Sequence, residues 1–317
     1  MNTNLNRHLP TFFLATLLSV MLLAVGCSSA PTEKSTEPKP ATAAIASADP
    51  LATAAGMEIL EQGGNAFDAA VAIAAALAVV EPAGSGLGGG GFFLLYSADS
   101  GEYKFVDARE VAPSAASRDM YLDEQGNPIG RASVDGPLAA GIPGEPAGMA
   151  WLAENYGTLP LSELLAPAIR YAEDGFPIGR RALLGLRFRN KTIVSSPAMA
   201  DVFLRDGEAP AEGTIITQPD LATTLRRFAA GGRDGFYTGE TAQLLVEGVQ
   251  AAGGIWTLDD LANYQVVERE PLITNYKDMR IVTAPLPSSG GIVMHQMFKY
   301  LSPYSLTELS EAAQVHT

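Results

Sequence analysis

The residue with the clearest capacity for binding chemistry is Arg109, which stands between Asp107 and Glu110. A guanidinium group is a planar fork that can hold one carboxylate through two parallel N–H···O hydrogen bonds. Two interpretations are open: a site for a carboxylate ligand, or a structural ion pair with one of the two acidic neighbours. Spacing along the chain favours the ion pair when it is considered alone.

Candidate nucleophiles and metal ligands are weaker. Residues 288–291 (SSGG) lack the G-x-S-x-G turn that exposes a serine nucleophile, so we interpret them as a loop that positions backbone. His295 and His316 each stand without a second histidine or a carboxylate at metal-ligand spacing, and we expect His295 to pack on its helix. We expect neither a metal nor an organic cofactor.

The glycine-rich run at residues 85–91 (SGLGGGG) invites comparison with a dinucleotide-binding fingerprint. Its spacing fits G-x-G-x-x-G only loosely, and it follows a predicted helix where the fingerprint follows a strand. We therefore interpret these glycines as positions of close backbone packing with positive φ.

The elements that must position these residues are predicted from periodicity and caps. Asn65 and Asp68 form a partial capping box before residues 66–80, whose apolar character all round predicts a buried central helix. Residues 92–96 and 103–107 predict a hairpin. The remaining predictions are helices at 51–62, 147–156, 161–173, 219–230, 240–252 and from about 292, a short helix capped by Thr257 and Asp260, a strand at 280–284, and irregular surface at 118–131.

Several sequence words occur in a fixed order: GGNAFDAAVA (63–72), VVEP (79–82), SGLGGGGF (85–92) and DAREVAP (107–113). Together they resemble the large-subunit signature of the γ-glutamyltranspeptidases (glutathione hydrolases), a family of N-terminal-nucleophile hydrolases. Similar words farther along, such as AAGGIWTLDDLANY at 251–264, extend the resemblance from about Pro50 to the end of the chain.

The resemblance implies an α+β fold, the αββα sandwich of N-terminal-nucleophile hydrolases, and γ-glutamyl transfer or glutathione hydrolysis through a γ-glutamyl-threonine intermediate. It places Arg109 where the family holds the α-carboxylate of the γ-glutamyl group, which reverses the preference for an ion pair. Alternatives within the family are release of glutamate from a γ-linked polymer and deacylation of a β-lactam side chain. An alternative of another class is a non-catalytic lipoprotein that uses the scaffold as a binding module.

The nucleophile that the resemblance implies is a threonine made N-terminal by self-cleavage, in a Thr-Thr-His-aromatic-Ser context. Residues 223–226 (TTLR) do not match this context, and nothing follows Thr317 in the sequence. We therefore expect a large-subunit region that lacks its small-subunit partner and is inactive alone. In such a region the hairpin of residues 92–107 and a predicted helix at 306–315 should lack packing partners.

The N-terminal segment predicts export. Arg7 and the apolar run at residues 12–25 are typical of a signal peptide, since the run is too short to span a bilayer comfortably. The sequence LAVGC at 23–27 resembles a lipobox, which implies cleavage before Cys27 and attachment of lipid to its sulfur. A plain signal peptide with a chance cysteine is the alternative.

These features divide the chain into a lipoprotein signal peptide (1–26), a disordered tether rich in Pro, Ser and Thr (27–48), and a folded region (49–317). The expected location is the periplasmic side of a bacterial cell envelope, lipid-anchored or secreted. The formal net charge of −14, with 35 acidic and 21 basic residues, argues against a nucleic-acid partner.

Replacing Cys27 tests the lipid anchor. Cys27→Ser should abolish incorporation of a fatty-acid analogue and release the protein from the membrane fraction, because the only thiol in the chain is then lost. Both are measured by labelling and cell fractionation. Equal membrane association of the variant and the parent would contradict the lipobox.

Overall fold

The computed structural model describes residues 43–305, which combine helices with short antiparallel strands. Cys27, the predicted helix at 306–315, His316 and Thr317 lie outside these residues. The described helices are α1 (Pro50–Glu61), α2 (Ala66–Val80), α3 (Glu145–Tyr156), α4 (Leu161–Leu164), α5 (Ala166–Asp174), α6 (Arg180–Val194), α7 (Pro197–Phe203), α8 (Pro219–Gly231), α9 (Asp234–Tyr237), α10 (Gly239–Ala251), α11 (Leu258–Ala262) and α12 (Gly290–Leu301). The described strands are β1 (Gly91–Ser97), β2 (Glu102–Ala108), β3 (Phe176–Pro177), β4 (Ile215–Ile216), β5 (Val267–Arg269), β6 (Leu272–Tyr276) and β7 (Met279–Thr283).

The largest sheet within residues 43–305 has the strand order β1-β2-β5, and both pairings are antiparallel. The β1–β2 register pairs Gly91 with Ala108 at one end and Ser97 with Glu102 at the other, beside the turn. The predicted hairpin is therefore confirmed. Pairs β3–β4 and β6–β7 form two separate ribbons.

Helix α2 is the centre of the core, as its composition predicts. Its buried residues recur on every side, and it packs against α1, α3 and α5. Side-chain oxygen Oδ1 of Asn65 accepts hydrogen bonds from the N–H groups of Phe67 and Asp68, at 2.8 and 2.9 Å. Oδ2 of Asp68 accepts from the N–H of Asn65 at 2.8 Å, which confirms the capping box.

The Asp68 carboxylate also binds a distant part of the chain. It is fully buried, and it accepts hydrogen bonds from the N–H and the hydroxyl of Thr158, the latter at 2.6 Å. Thr158 lies in the connection between α3 and α4, so one side chain both caps α2 and anchors that connection. A buried carboxylate is tolerated here because several donors surround it.

The hairpin packs against α3 through one of its faces. Val106 and Ala108 are fully buried, and a Cβ added at Gly148 would lie 2.5 Å from the ring of Phe93. The expectation that the hairpin lacks packing partners is therefore wrong for this face. The opposite face leaves Leu94 and Tyr96 exposed, at 44% and 52%.

Two predictions of secondary structure need correction. The helix predicted at 161–173 is divided into α4 and α5, because Pro167 has no N–H with which to continue the hydrogen-bond ladder. No element is predicted between residues 180 and 203, yet α6 and α7 lie there. Helix α6 was missed because its numerous basic residues obscure the periodicity of its buried apolar residues. Among residues 43–305, no helix combines the length and apolar character needed to cross a bilayer.

Removing the Asp68 carboxylate should destabilise the fold. Asp68→Ala is expected to lower the free energy of unfolding by about 2–4 kcal/mol, because the N–H groups of Asn65 and Thr158 lose their buried acceptor. Urea denaturation followed by circular dichroism measures the change. Asp99→Ala, in the exposed hairpin turn, is the control and should cost less than about 0.5 kcal/mol. Equal losses in the two variants would contradict this role.

Candidate functional site

Arg109 directly follows β2, and its side chain is 55% exposed. Its Nε donates to Oε2 of Glu110 at 3.1 Å, and the guanidinium lies 5.6 Å from the centre of the Phe92 ring. Among residues 43–305, the two terminal nitrogen atoms of Arg109 have no hydrogen-bond partner. The two nitrogen atoms that can bind a carboxylate through parallel hydrogen bonds therefore have no partner within this part of the chain.

The two ion-pair alternatives for Arg109 have different outcomes. Asp107 is buried and binds Arg269 of β5, with its Oδ2 at 2.9 Å from Nε and 2.8 Å from a terminal nitrogen. Its other oxygen accepts the main-chain N–H of Arg109 at 3.1 Å. The ion pair with Glu110 does form, but it is a single contact between partly exposed groups, and such pairs contribute about 0–1 kcal/mol.

The glycine run contacts the backbone of Arg109, since a Cβ added at Gly90 would lie 2.9 Å from the Arg109 Cα atom. The run also forms one wall of a cleft of about 400 Å³. Glu110 and Glu145 line the same cleft. A Cβ added at Gly90 would lie 2.4 Å from the carbonyl oxygen of Ala108, so close packing explains this glycine as predicted. The predicted positive φ is wrong, since no glycine of residues 84–91 adopts it.

Glu145, the first residue of α3, is a functional candidate that the sequence reasoning missed. A Cβ added at Gly91 would lie 2.8 Å from Oε2 of Glu145, so this carboxyl group rests on the backbone where β1 begins. Burial, and then the nearby charge of Glu110, raises the pKa of Glu145 to about 7. The sequence signal that could have identified Glu145 is an acidic residue at the start of a predicted helix, directly after a glycine in the segment GIPGEP.

The family assignment comes from comparison with known sequences. The sequence model described as Gamma-glutamyltranspeptidase matches residues 52–317. The chain belongs to the γ-glutamyltranspeptidase family. This confirms the resemblance carried by the ordered motifs, all of which lie within the matched residues.

Curated relatives and solved structures agree with the assignment. The chain is 40% identical over 306 residues to the glutathione hydrolase proenzyme of Pseudomonas sp. (strain A14), covering 96% of this chain and 52% of the relative. It is 39% identical over 263 residues to the glutathione hydrolase proenzyme of Escherichia coli (strain K12), and the match covers 83% of this chain and 45% of that relative. The Helicobacter pylori γ-glutamyltranspeptidase structure shares 39% identity with a TM-score of 0.81, covering 86% of this chain and 79% of that chain. The structure of γ-glutamyltranspeptidase from Pseudomonas nitroreducens complexed with L-DON shares 40% sequence identity with a TM-score of 0.78. The match covers 87% of this chain and 82% of that chain.

These matches define the fold and the extent of the resemblance. The chain spans about half the length of the curated relatives it matches, and it corresponds to the large-subunit part of the family. The predicted α+β fold of the N-terminal-nucleophile hydrolase class is confirmed by the mixed helices and strands and by these neighbours.

The other sequence candidates do not join Arg109 in the structure. Thr223 and Thr224 lie on α8, and each hydroxyl donates to a main-chain carbonyl four residues earlier, at 3.0 and 3.1 Å. Nδ1 of His295 on α12 lies 2.7 Å from the hydroxyl oxygen of Thr274, so the side chain bridges to β6. Within residues 43–305, no three His, Cys, Asp or Glu side chains cluster as metal ligands would.

The raised pKa of Glu145 predicts a pH-dependent effect on stability. Folded Glu145 holds its proton more tightly than the unfolded chain does, so its contribution to stability falls as the pH rises from about 4.5 through 7. Glu145→Gln keeps the neutral shape, and its stability relative to the parent should therefore grow over this window by about 1–3 kcal/mol. Urea denaturation at pH 5 and pH 8 measures the change. A difference that is the same at both pH values would contradict this environment for Glu145.

Proposed function

We propose that the full-length protein containing this chain transfers or hydrolyses γ-glutamyl groups, with glutathione as a donor. Arg109 binds the α-carboxylate of the γ-glutamyl group. The observation that carries this proposal is the position of Arg109: it lies at the end of β2, beside the glycine cleft, with its terminal nitrogen atoms unbound within residues 43–305. Several relatives bear the name glutathione hydrolase, which supports this donor class.

The charge distribution around Arg109 favours a ligand that carries both signs. Arg109 offers a cation, whereas Glu110 and Glu145 line the adjacent cleft with carboxyl groups. A free amino-acid head group brings an α-carboxylate and an α-ammonium group together, so it suits such a surface better than a simple anion does. The carboxylate would bind the guanidinium, and the ammonium group would offset the charge of the carboxylate, so the head group adds no net negative charge to an acidic site.

The covalent chemistry requires a nucleophile that residues 43–305 do not offer in the expected context. We place this threonine in the part of the relatives' length that the chain does not span. Its hydroxyl attacks the γ-carbonyl carbon, and the departing amine takes the proton that the hydroxyl loses. Water, or the amine of an acceptor, then releases the γ-glutamyl group and restores the hydroxyl.

Two alternatives are less well supported. A cephalosporin acylase from Bacillus halodurans is a structural neighbour at 30% identity with a TM-score of 0.66, below the values for the γ-glutamyltranspeptidases. A non-catalytic binding module would use the same fork of Arg109 to bind a ligand, but it is not favoured by relatives that bear the name glutathione hydrolase. Turnover of a γ-glutamyl substrate separates both alternatives from the proposal.

A periplasmic location with a lipid anchor at Cys27 remains part of the proposal. It depends on the N-terminal sequence pattern, since Cys27 lies outside residues 43–305. Extracytoplasmic placement would expose the enzyme to glutathione and γ-glutamyl peptides outside the cytoplasm.

Substitution of Arg109 in the full-length protein tests the proposed function. Arg109→Ala should lower kcat/KM for a γ-glutamyl anilide by about thirty-fold to a thousand-fold, because a charge-assisted bidentate contact is lost. Arg109→Lys should recover only part of this, since an ammonium group cannot fork. Release of the aniline, followed by absorbance, measures both.

The matched control is Arg118→Ala, which removes a fully solvated arginine (93% exposed) nine residues later in the chain. It should leave kcat/KM within about two-fold of the parent. Unchanged kinetics in Arg109→Ala would mean that Arg109 is structural, and absence of turnover in the parent would overturn the proposed activity itself.

A further inference from the structure

The main chain of Arg109 is fixed on both sides even though its side chain is largely free. Its N–H donates to Oδ1 of Asp107 at 3.1 Å, and Asp107 is itself held by Arg269. Its carbonyl oxygen accepts a hydrogen bond from the phenol of Tyr264 at 2.8 Å. Within residues 43–305 the guanidinium contacts only Glu110, through Nε, and the Phe92 ring, so its direction depends also on where this peptide places the Cα atom.

Tyr264 is well suited to hold that peptide because it is itself immobilised. It is 3% exposed, and its ring stacks on Tyr237 with centroids 5.5 Å apart and planes inclined by 11°. Its own carbonyl oxygen accepts from a terminal nitrogen of Arg233 at 2.6 Å. Burial raises the pKa of the Tyr264 phenol, so the group remains protonated and continues to donate at physiological pH.

The space around the phenol excludes other arrangements. A Cβ added at Gly144 would lie 2.2 Å from both the Tyr264 hydroxyl oxygen and the carbonyl oxygen of Ala108. The start of α3 therefore presses the phenol and the end of β2 together. A rotation of the Tyr264 ring, or a shift of the Arg109 peptide, would collide with this backbone.

We propose that Tyr264 is a positioning residue for Arg109, and that its hydrogen bond to the Arg109 carbonyl sets the affinity of the site for the α-carboxylate of the substrate. The inference rests on the proposed γ-glutamyl activity and deepens it. Bidentate binding needs the guanidinium and carboxylate planes to be aligned, so a small displacement of the arginine backbone weakens it. Tyr264 does not touch the substrate in this role.

The test compares two substrates in the full-length protein carrying Tyr264→Phe. One is a γ-glutamyl anilide, and the other is the 4-aminobutyryl anilide, which lacks only the α-carboxylate. We expect kcat/KM for the first to fall about three- to ten-fold, mainly through KM, because one neutral hydrogen bond is removed. The already low kcat/KM for the second should stay within two-fold of the parent.

Tyr237→Phe is the matched control because it removes a phenol from the same aromatic stack. Its hydroxyl donates to the carbonyl oxygen of Pro143 at 2.8 Å and does not contact Arg109. This variant should affect both substrates by the same factor or neither of them. In an Arg109→Ala background, Tyr264→Phe should cause no further loss, since the guanidinium it positions is absent.

An equal loss on both substrates in Tyr264→Phe, or no loss on either, would overturn the positioning role. Arg269→Lys provides a second route if Tyr264→Phe does not fold, because it loosens Asp107 on the other side of the same peptide. It should show the same dependence on the α-carboxylate, and an equal effect on both substrates would again overturn the inference. Failure of the parent protein to turn over the γ-glutamyl anilide is a different result, which removes the proposed function and this inference with it.

Discussion

The carbonyl oxygen of Ala108 is packed between two glycine backbones, and the geometry of the candidate site depends on this contact. A Cβ at Gly90 would lie 2.4 Å from this oxygen, and one at Gly144 would lie 2.2 Å from it. Glycine at both positions brings the cleft loop, the end of β2 and the start of α3 into backbone contact. Glu110 and Glu145 therefore line the same cleft, and Arg109 lies next to it, although Glu145 is 35 residues after Glu110.

The charge of the site depends on which carboxylates form ion pairs and with which arginines. Asp107 is buried and binds Arg269, so it adds little negative charge to the cleft. Glu110 shares a single contact with Arg109. Burial, and then the charge of Glu110, raises the pKa of Glu145, which has no ion-pair partner among residues 43–305. A guanidinium with unbound terminal nitrogen atoms therefore lies next to a cleft lined by two carboxyl groups, and this arrangement suits an amino-acid head group.

Local signals predicted the elements that carry the site. The capping box at Asn65 and the apolar run after it located α2, and alternation about a turn located the hairpin that ends at Arg109. These signals act within a few residues and are therefore readable from sequence. The prediction missed α6, whose many basic residues obscure its apolar pattern. It also assigned positive φ to the glycines of residues 84–91, which have ordinary φ values and of which Gly90 is needed for close packing.

The sequence by itself determined the family, the position of Arg109 after a strand, and the two candidate partners next to it. Only the tertiary structure decided that Asp107 belongs to Arg269, 162 residues away, and that Tyr264, 155 residues away, holds the Arg109 carbonyl. It also placed Glu145 against Gly91 in a setting that raises its pKa. The physical reason is that burial and hydrogen-bond partners depend on which distant segments pack together, and no local spacing specifies that packing.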